Sequence, residues 1–197
     1  SGKTAVLTRR IAYLLRMRGV APGQILAITF TNKAAAEMRD RVIDLVGPTA
    51  TRMWVATFHS ACVRILREQA HLLPGLNTNF TIYDADDSKR LLGMIAKDLQ
   101  INAQKFPPRL LAAAISALKT ELTDPDAASD EAAATRNPFD RTIAEVYTEY
   151  QRRLRAANAL DFDDLIGETV RVFITHPEIA AYYRKRFRHV LIDEYQD

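Results

Sequence analysis

Three short apolar runs, each leading into polar residues, constrain the fold of this chain most strongly. They are ILAITF at 25–30, MWVAT at 53–57 and HVLI at 189–192. Nearly continuous apolar runs of this length are typical of strands that are buried on both faces of a parallel sheet. Amphipathic patterns that predict helices lie at 5–18, 33–46 and 60–72. The alternation of strand and helix predicts βαβ units and an α/β fold built on a parallel sheet.

The middle of the chain has a different pattern. Between 84 and 158 no strand is predicted, and the polar stretch 122–137 is predicted to be an exposed loop. Helices are predicted at 86–100, 108–121, 138–157, 161–175 and 178–187. We therefore expect a parallel α/β domain in two parts, 1–83 and 159–197, interrupted by an all-α insertion domain at 84–158.

Composition excludes several classes of protein. With 48% hydrophobic and 26% charged residues, and no run of about 18 apolar residues, neither disorder nor a membrane span is expected. Residues 1–70 hold 11 Lys/Arg against 4 Asp/Glu, whereas residues 71–150 hold 8 against 12. The basic end favours a polyanionic partner, although a solvated basic helix face would give the same counts.

The single cysteine, Cys62, excludes an internal disulfide and fits a reducing cytoplasm. His59 precedes it by three residues, as in a Cys–His nucleophilic pair. However, Cys62 shares a helical stripe with Ile65 and Leu66, which predicts a buried, inert thiol. The histidines have no partners at metal-ligand spacing. The chain has no initiator Met and no signal peptide, so we expect a fragment of a cytoplasmic protein.

The two ends of the chain carry residues suited to nucleotide chemistry. The first four residues, SGKT, lead directly into a helix. A phosphate-binding loop needs backbone N–H groups at a helix start, a lysine for the β- and γ-phosphates, and a hydroxyl for Mg²⁺. The last strand runs into Asp193-Glu194, at the sheet edge where α/β proteins bind ligands. Asp193 could hold Mg²⁺ and Glu194 could deprotonate an attacking water, or both could form a solvated acidic turn.

Polar residues also follow the first two strands. Phe30 ends the first strand, and Asn32, interpreted as a helix cap, and Lys33 open the next helix. An aromatic ring there can stack on a base, and a helix start with a lysine can hold phosphate oxygens. Thr57 and His59 repeat this arrangement after the second strand. The alternative is a core phenylalanine, an ordinary cap and a hydrogen-bonded surface histidine.

Taken in order, these segments resemble a known family. The motifs are GKT at 2–4, ITFTNKAAAEMRDRV at 28–42, VATFHSACVRILR at 55–67, LDFDDLI at 160–166 and VLIDEYQD at 190–197. The set resembles the first RecA-like domain of UvrD/PcrA/Rep-type superfamily 1 DNA helicases, and the actinobacterial UvrD/PcrA group most closely. The resemblance covers the whole chain and implies a RecA-like P-loop NTPase sheet with an α-helical insertion.

The resemblance also implies roles for the nucleotide residues, with ATP and Mg²⁺ as cofactors. Gly2 and Lys3 are similar to the phosphate-loop residues, and Thr4 to the hydroxyl that binds Mg²⁺. Asp193 resembles the metal carboxylate. The last two roles fall on Glu194, which resembles the catalytic base, and on Gln196, which resembles the residue that couples nucleotide state to DNA.

For nucleic acid, the resemblance implies single-stranded DNA contacts. The residues that match its two contact motifs are Phe30, Asn32, Lys33, Thr57 and His59. The insertion is expected near a duplex junction. The three aspartates of LDFDDLI have no chemistry that requires them, so we interpret them as a helix cap with solvated acids.

The function implied is ATP-dependent 3′–5′ DNA translocation and unwinding in repair or replication restart, together with other repair or replication proteins. The first half of the phosphate loop and the second RecA-like domain with its arginine finger are missing, so we expect this fragment alone to be inactive. The alternative is a non-motor nucleic-acid-binding or regulatory module with a degenerate ATP site. Intact Lys3, Asp193 and Glu194 count against it.

Overall fold

The computed structural model describes residues 2–193, which form two compact units. Of these residues, the first unit comprises 2–65 and 172–193, and the second comprises 66–171. Both boundaries between the units fall inside helices. The elements of the first unit are α1 (Gly2–Arg16), β1 (Ile25–Thr29), α2 (Asn32–Val46), β2 (Trp54–Thr57), α3 (Phe58–Glu68), α9 (Pro177–Arg186) and β5 (His189–Ile192).

The first unit is built on a parallel sheet of three strands in the order β2-β1-β5. The register pairs Thr29 with Thr57 and Ile28 with Ile192. All three strands were predicted from their apolar runs, and the prediction is confirmed. The central strand, β1, is buried almost throughout, whereas Val190 of β5 is 54% exposed. The expectation that the last strand is buried is therefore wrong, because β5 lies at the edge of the described sheet.

Helices cover both faces of this sheet. Ile11 of α1 and Met38 of α2 pack in one buried cluster with Ala27 of β1. On the strands' other face, Trp54 packs with Tyr183 and Phe187 from the α9 region. Side chains that alternate along the strands thus enter two separate cores. Apolar packing therefore occupies both faces of the described sheet.

The second unit is mostly helical. Its elements are β3 (Thr81–Tyr83), α4 (Ala85–Asp98), α5 (Pro108–Thr120), α6 (Pro125–Thr135), α7 (Pro138–Ala156), β4 (Ala159–Asp161) and α8 (Phe162–Thr175), of which the last continues into the first unit. A core that includes Leu92, Leu111 and Ile143 joins α4, α5 and α7. The predicted exposed loop at 122–137 is wrong, because most of this stretch forms α6.

Helix α6 escaped prediction because its buried positions carry only small side chains. Asp124 caps the helix by accepting a hydrogen bond from the Ala127 N–H at 2.8 Å, and Pro125 occupies the first turn. Ala128 and Ala132 are buried, so close packing against α7 replaces the large apolar stripe that normally reveals a helix.

Two further predictions need correction or extension. The cap of α2 is Thr31, whose hydroxyl accepts from the Ala34 N–H at 3.0 Å, and Asn32 is the first helical residue. The short parallel pair β3–β4 was not predicted, since three-residue strands carry too little pattern. These strands flank 84–158, where the described elements are all helices. The division into RecA-like and insertion domains at these boundaries stays a prediction. In the described part of the chain, no helix has the length and hydrophobicity that crossing a membrane requires.

Candidate functional site

The structure brings the two ends of the described chain together. Helix α1 begins at Gly2, with Lys3 exposed and Thr4 half-buried. The Thr4 hydroxyl donates a hydrogen bond to Asp193 Oδ2 at 3.0 Å, across 189 positions of sequence. Asp193 is held in place by its own backbone, because its N–H donates to the Ile28 carbonyl at 2.8 Å. The hydroxyl and the carboxylate predicted to share a metal ion are therefore neighbours.

The Asp193 carboxylate is buried, with 8% of the residue exposed. Its second oxygen, Oδ1, is also buried and has no hydrogen-bond partner among residues 2–193. A buried carboxylate oxygen without a partner is costly unless a cation or a donor satisfies it. Mg²⁺ prefers oxygen ligands and usually takes few of them from the protein, with water and phosphate completing its shell. The pair of oxygen donors fits Mg²⁺. The described residues contain no group of three or more His, Cys, Asp or Glu that could hold a metal ion.

The ends of β1 and β2 present two exposed aromatic rings. Thr29 and Thr57 are paired across the two strands, and a phenylalanine follows each of them. Phe30 is 77% exposed and Phe58 is 51% exposed. The alternative that Phe30 is a core residue is therefore wrong. Phe58 was not among the predicted site residues, although its place after Thr57 repeats that of Phe30 after Thr29.

Hydrogen bonds connect these two strand ends. Thr57 caps α3, since its Oγ1 accepts from the Ser60 N–H at 3.1 Å. The Thr57 hydroxyl donates to Ser60 Oγ at 2.9 Å, and the Ser60 hydroxyl donates to Asn32 Oδ1 at 3.1 Å. Lys33 and His59 are exposed beside them. Ser60 was also missed, because no sequence pattern pairs it with a residue 28 positions earlier.

All of these residues gather at one edge of one sheet. β5, β1 and β2 are parallel, so their carboxyl ends, followed by Asp193, Phe30 and Phe58, lie on the same side. That edge is where α/β proteins bind their ligands. Two further predicted residues, Glu194 and Gln196, lie outside the described residues.

Comparison with known proteins agrees with this arrangement. A family model described as the UvrD/REP helicase N-terminal domain matches residues 1–197. The chain belongs to this family. It is 68% identical over its whole length to the ATP-dependent DNA helicase UvrD1 of Mycobacterium tuberculosis. It is 49% and 46% identical to the ATP-dependent DNA helicase PcrA of Staphylococcus aureus and Bacillus subtilis, respectively. The chain spans 26% of the length of each of these relatives.

The second unit of this UvrD/REP-family chain contains a buried charge cluster made by the LDFDDLI segment. Lys119 Nζ lies 2.7 Å from Asp161 Oδ2 and 2.9 Å from Asp164 Oδ1, and all three residues are buried. The Tyr150 hydroxyl donates to Asp161 Oδ2 at 2.8 Å. The interpretation of these aspartates as solvated acids is wrong for Asp161 and Asp164, and Asp163 is half-buried.

Burial raises the pKa of two side chains in this cluster, Asp164 and Tyr150. It raises the pKa of Asp164 to about 6, and the Asp161 charge adds to the rise, while Lys119 opposes it. Burial also raises the pKa of the Tyr150 hydroxyl above its ordinary value, so Tyr150 remains a donor. The helix-cap part of the interpretation is confirmed, because Asp161 Oδ1 accepts from the Asp164 N–H at 2.9 Å.

Cys62 differs from its prediction as well. It is only half-buried, rather than buried as its helical stripe suggested. Its neighbours on that stripe, Ile65 and Leu66, are buried, so Cys62 lies at the margin of the stripe.

Proposed function

We propose that the first unit is part of a RecA-like domain of an ATP-dependent DNA helicase that translocates 3′ to 5′ on single-stranded DNA. The observation that carries the proposal is the shared sheet edge, where the Thr4–Asp193 pair and two exposed aromatic strand ends lie together. Nucleotide residues alone would suit many NTPases. The exposed phenylalanines lie beside a lysine, at the ends of strands next to the nucleotide residues. This arrangement suits a protein that couples nucleotide binding to the binding of single-stranded nucleic acid.

On the nucleotide side, Lys3 and the N–H groups at the start of α1 would hold the phosphates of ATP. Thr4 and Asp193 would hold Mg²⁺, which neutralises charge on the phosphate oxygens. Glu194 follows Asp193 directly and would orient and deprotonate the attacking water. Gln196 would sense the nucleotide state.

On the DNA side, the Phe30 ring would stack on a base. Lys33 and the capped start of α2 would contact phosphate oxygens, since a helix N-terminus favours anions. Thr57 and His59 would contribute further polar contacts from the second strand end. Stacking and backbone contacts of this kind are tolerant of sequence, as a translocating protein requires.

The central strand connects the two sides. β1 pairs with β5, which precedes Asp193, and with β2, which precedes Phe58. A change in the position of Asp193 therefore reaches the DNA side through the Asp193 N–H bond to Ile28, two residues before Phe30. In the whole protein, closure of a second RecA-like domain over ATP would alternate the grip on the strand. The family resemblance implies the 3′–5′ polarity, work in repair or replication restart, and contact with duplex junctions and with repair or replication proteins. The single cysteine favours a cytoplasmic location.

Steady-state ATPase of the full-length protein, with and without single-stranded DNA, tests this function. We expect DNA-stimulated turnover in the parent, and Lys3→Ala to lower turnover by at least about tenfold, since such side chains supply transition-state charge stabilisation. Binding to single-stranded DNA should persist in Lys3→Ala. Lys105→Ala, an exposed lysine of the second unit, is the matched control.

A parent that binds DNA but hydrolyses no ATP would support the alternative module with a degenerate site. Turnover by Lys3→Ala close to that of the parent would refute the role assigned to Lys3.

A further inference from the structure

Ser60 stands between the two strand ends that the proposed function assigns to DNA. Its hydroxyl is 2.9 Å from Thr57 Oγ1 and 3.1 Å from Asn32 Oδ1, and its backbone N–H is 3.1 Å from Thr57 Oγ1. The serine is half-buried, whereas Asn32 is exposed.

The direction of this chain of hydrogen bonds follows from a count of protons. A hydroxyl carries one proton and can accept two hydrogen bonds. Asn32 Oδ1 faces the Ser60 hydroxyl, and an amide oxygen only accepts, so the single Ser60 proton goes to Oδ1. Ser60 Oγ then has no second proton to donate, so the Thr57 hydroxyl donates to Ser60 Oγ while Thr57 Oγ1 accepts the Ser60 N–H.

The second polar group of the Asn32 side chain is the amide nitrogen, Nδ2. With Oδ1 held by Ser60, the Nδ2 group of the same amide keeps two donors, and no described residue accepts from them. Asn32 is the first residue of α2, where backbone N–H groups also favour a negative partner.

We propose that Ser60 is a positioning residue that orients the Asn32 amide so that its Nδ2 donates to a phosphate oxygen of single-stranded DNA. The inference rests on the proposed function. It extends that function to Ser60, which follows β2 and acts through Asn32, which follows β1. Without the Ser60 hydroxyl, the amide can rotate and present its oxygen, which a phosphate repels.

A double-mutant cycle in the full-length protein tests this role. The Kd for a fluorescent oligothymidylate is measured for the parent, Ser60→Ala, Asn32→Ala and the double variant. We expect Ser60→Ala to raise Kd about 3- to 10-fold, the effect of one lost hydrogen bond. If Ser60 acts through Asn32, the double variant binds as weakly as Asn32→Ala and no more weakly. Asn32→Asp should bind more weakly than Asn32→Ala, because a carboxylate still accepts from Ser60 but has no donor.

Controls separate this inference from the proposed function. Ser60→Thr keeps the hydroxyl and should bind close to the parent. Ser129→Ala removes a serine that bonds within α6 and should leave Kd unchanged. Additive effects in the cycle, or unchanged binding by Ser60→Ala, would overturn the positioning role while the parent still bound DNA. A parent that failed to bind single-stranded DNA would overturn the proposed function itself.

Discussion

The replacement Phe30→Ala separates a stacking role from a structural role. If Phe30 stacks on a base, the structure predicts a small loss of folding stability and a large loss of DNA binding. Phe30 is 77% exposed, so less than a quarter of its surface is shielded from water. Full burial of a phenylalanine side chain is worth roughly 1.5–3 kcal/mol, so the replacement should cost less than about 1 kcal/mol of folding stability. A buried phenylalanine would instead cost roughly 3–5 kcal/mol.

Loss of a stacked base should have a much larger effect on binding. Stacking on an aromatic side chain contributes about 1–3 kcal/mol per base, which corresponds to an increase in Kd of about 5- to 150-fold. The assay is fluorescence anisotropy of full-length protein with an oligothymidylate, with the melting temperature measured on the same preparation. DNA-stimulated ATPase should fall in parallel.

Tyr182→Ala is the matched control, since Tyr182 is a 51% exposed aromatic residue on α9. It should leave Kd unchanged. The stacking role is refuted if Phe30→Ala binds DNA like the parent. It is equally refuted if the melting temperature falls by several degrees while binding per folded molecule stays normal.

Three further predictions concern the nucleotide side and the buried cluster. Glu194→Gln should keep ATP and Mg²⁺ binding, measured by calorimetry, but lose hydrolysis, because only the base is removed; weaker nucleotide binding would point to a metal or structural role. Lys119→Met should cost roughly 3–5 kcal/mol of stability, because two buried carboxylates lose their cation, whereas Lys97→Met on the surface of α4 should be nearly neutral. The raised pKa of Asp164, about 6 against an ordinary 3.8, means that its stabilising contribution is present below about pH 4 and is lost as the pH rises through 6. Lys119 opposes this rise, so its removal should raise the pKa of Asp164 further and extend the loss of stability to higher pH. Thermal unfolding should therefore show a larger loss of stability between pH 6 and pH 8 in Lys119→Met than in the parent, and equal losses would contradict the pairing.

Sequence could predict the parts of the fold in which a single pattern of apolar residues dominates. The apolar runs before Phe30 and Asp193 mark strands whose backbone bonds are satisfied by neighbouring strands. Their polar ends are predicted to meet because parallel strands end at the same edge, and the parallel pairing of β1 with β2 and β5 places them there.

The parts that sequence could not predict depend on long-range partners. Helix α6 is buried through Ala128 and Ala132, which carry no hydrophobic signal of their own. Ser60 and Asn32 follow separate strands, and the register of β1 against β2 brings Ser60 Oγ within 3.1 Å of Asn32 Oδ1. Sequence could not predict the exposure of Phe30, because the ring of a phenylalanine at a strand end can point into the core or into solvent.

The LDFDDLI segment shows how packing and hydrogen bonds can fix the positions of acidic residues in a motif. Asp161 ends β4 and Asp164 lies three residues later in the first turn of α8, so each carboxylate can cap the other's backbone N–H. Both carboxylates form ion pairs with Lys119 of α5, and these pairs connect the strand-to-helix turn to the helical core. Two negative charges against one positive charge would be unfavourable in an apolar core, and the additional donors, a tyrosine hydroxyl and backbone N–H groups, offset that cost. Because Asp161 and Asp164 each accept the other's backbone N–H at the start of α8, the three-residue spacing of the first and third aspartates follows from the geometry of a helix N-terminus.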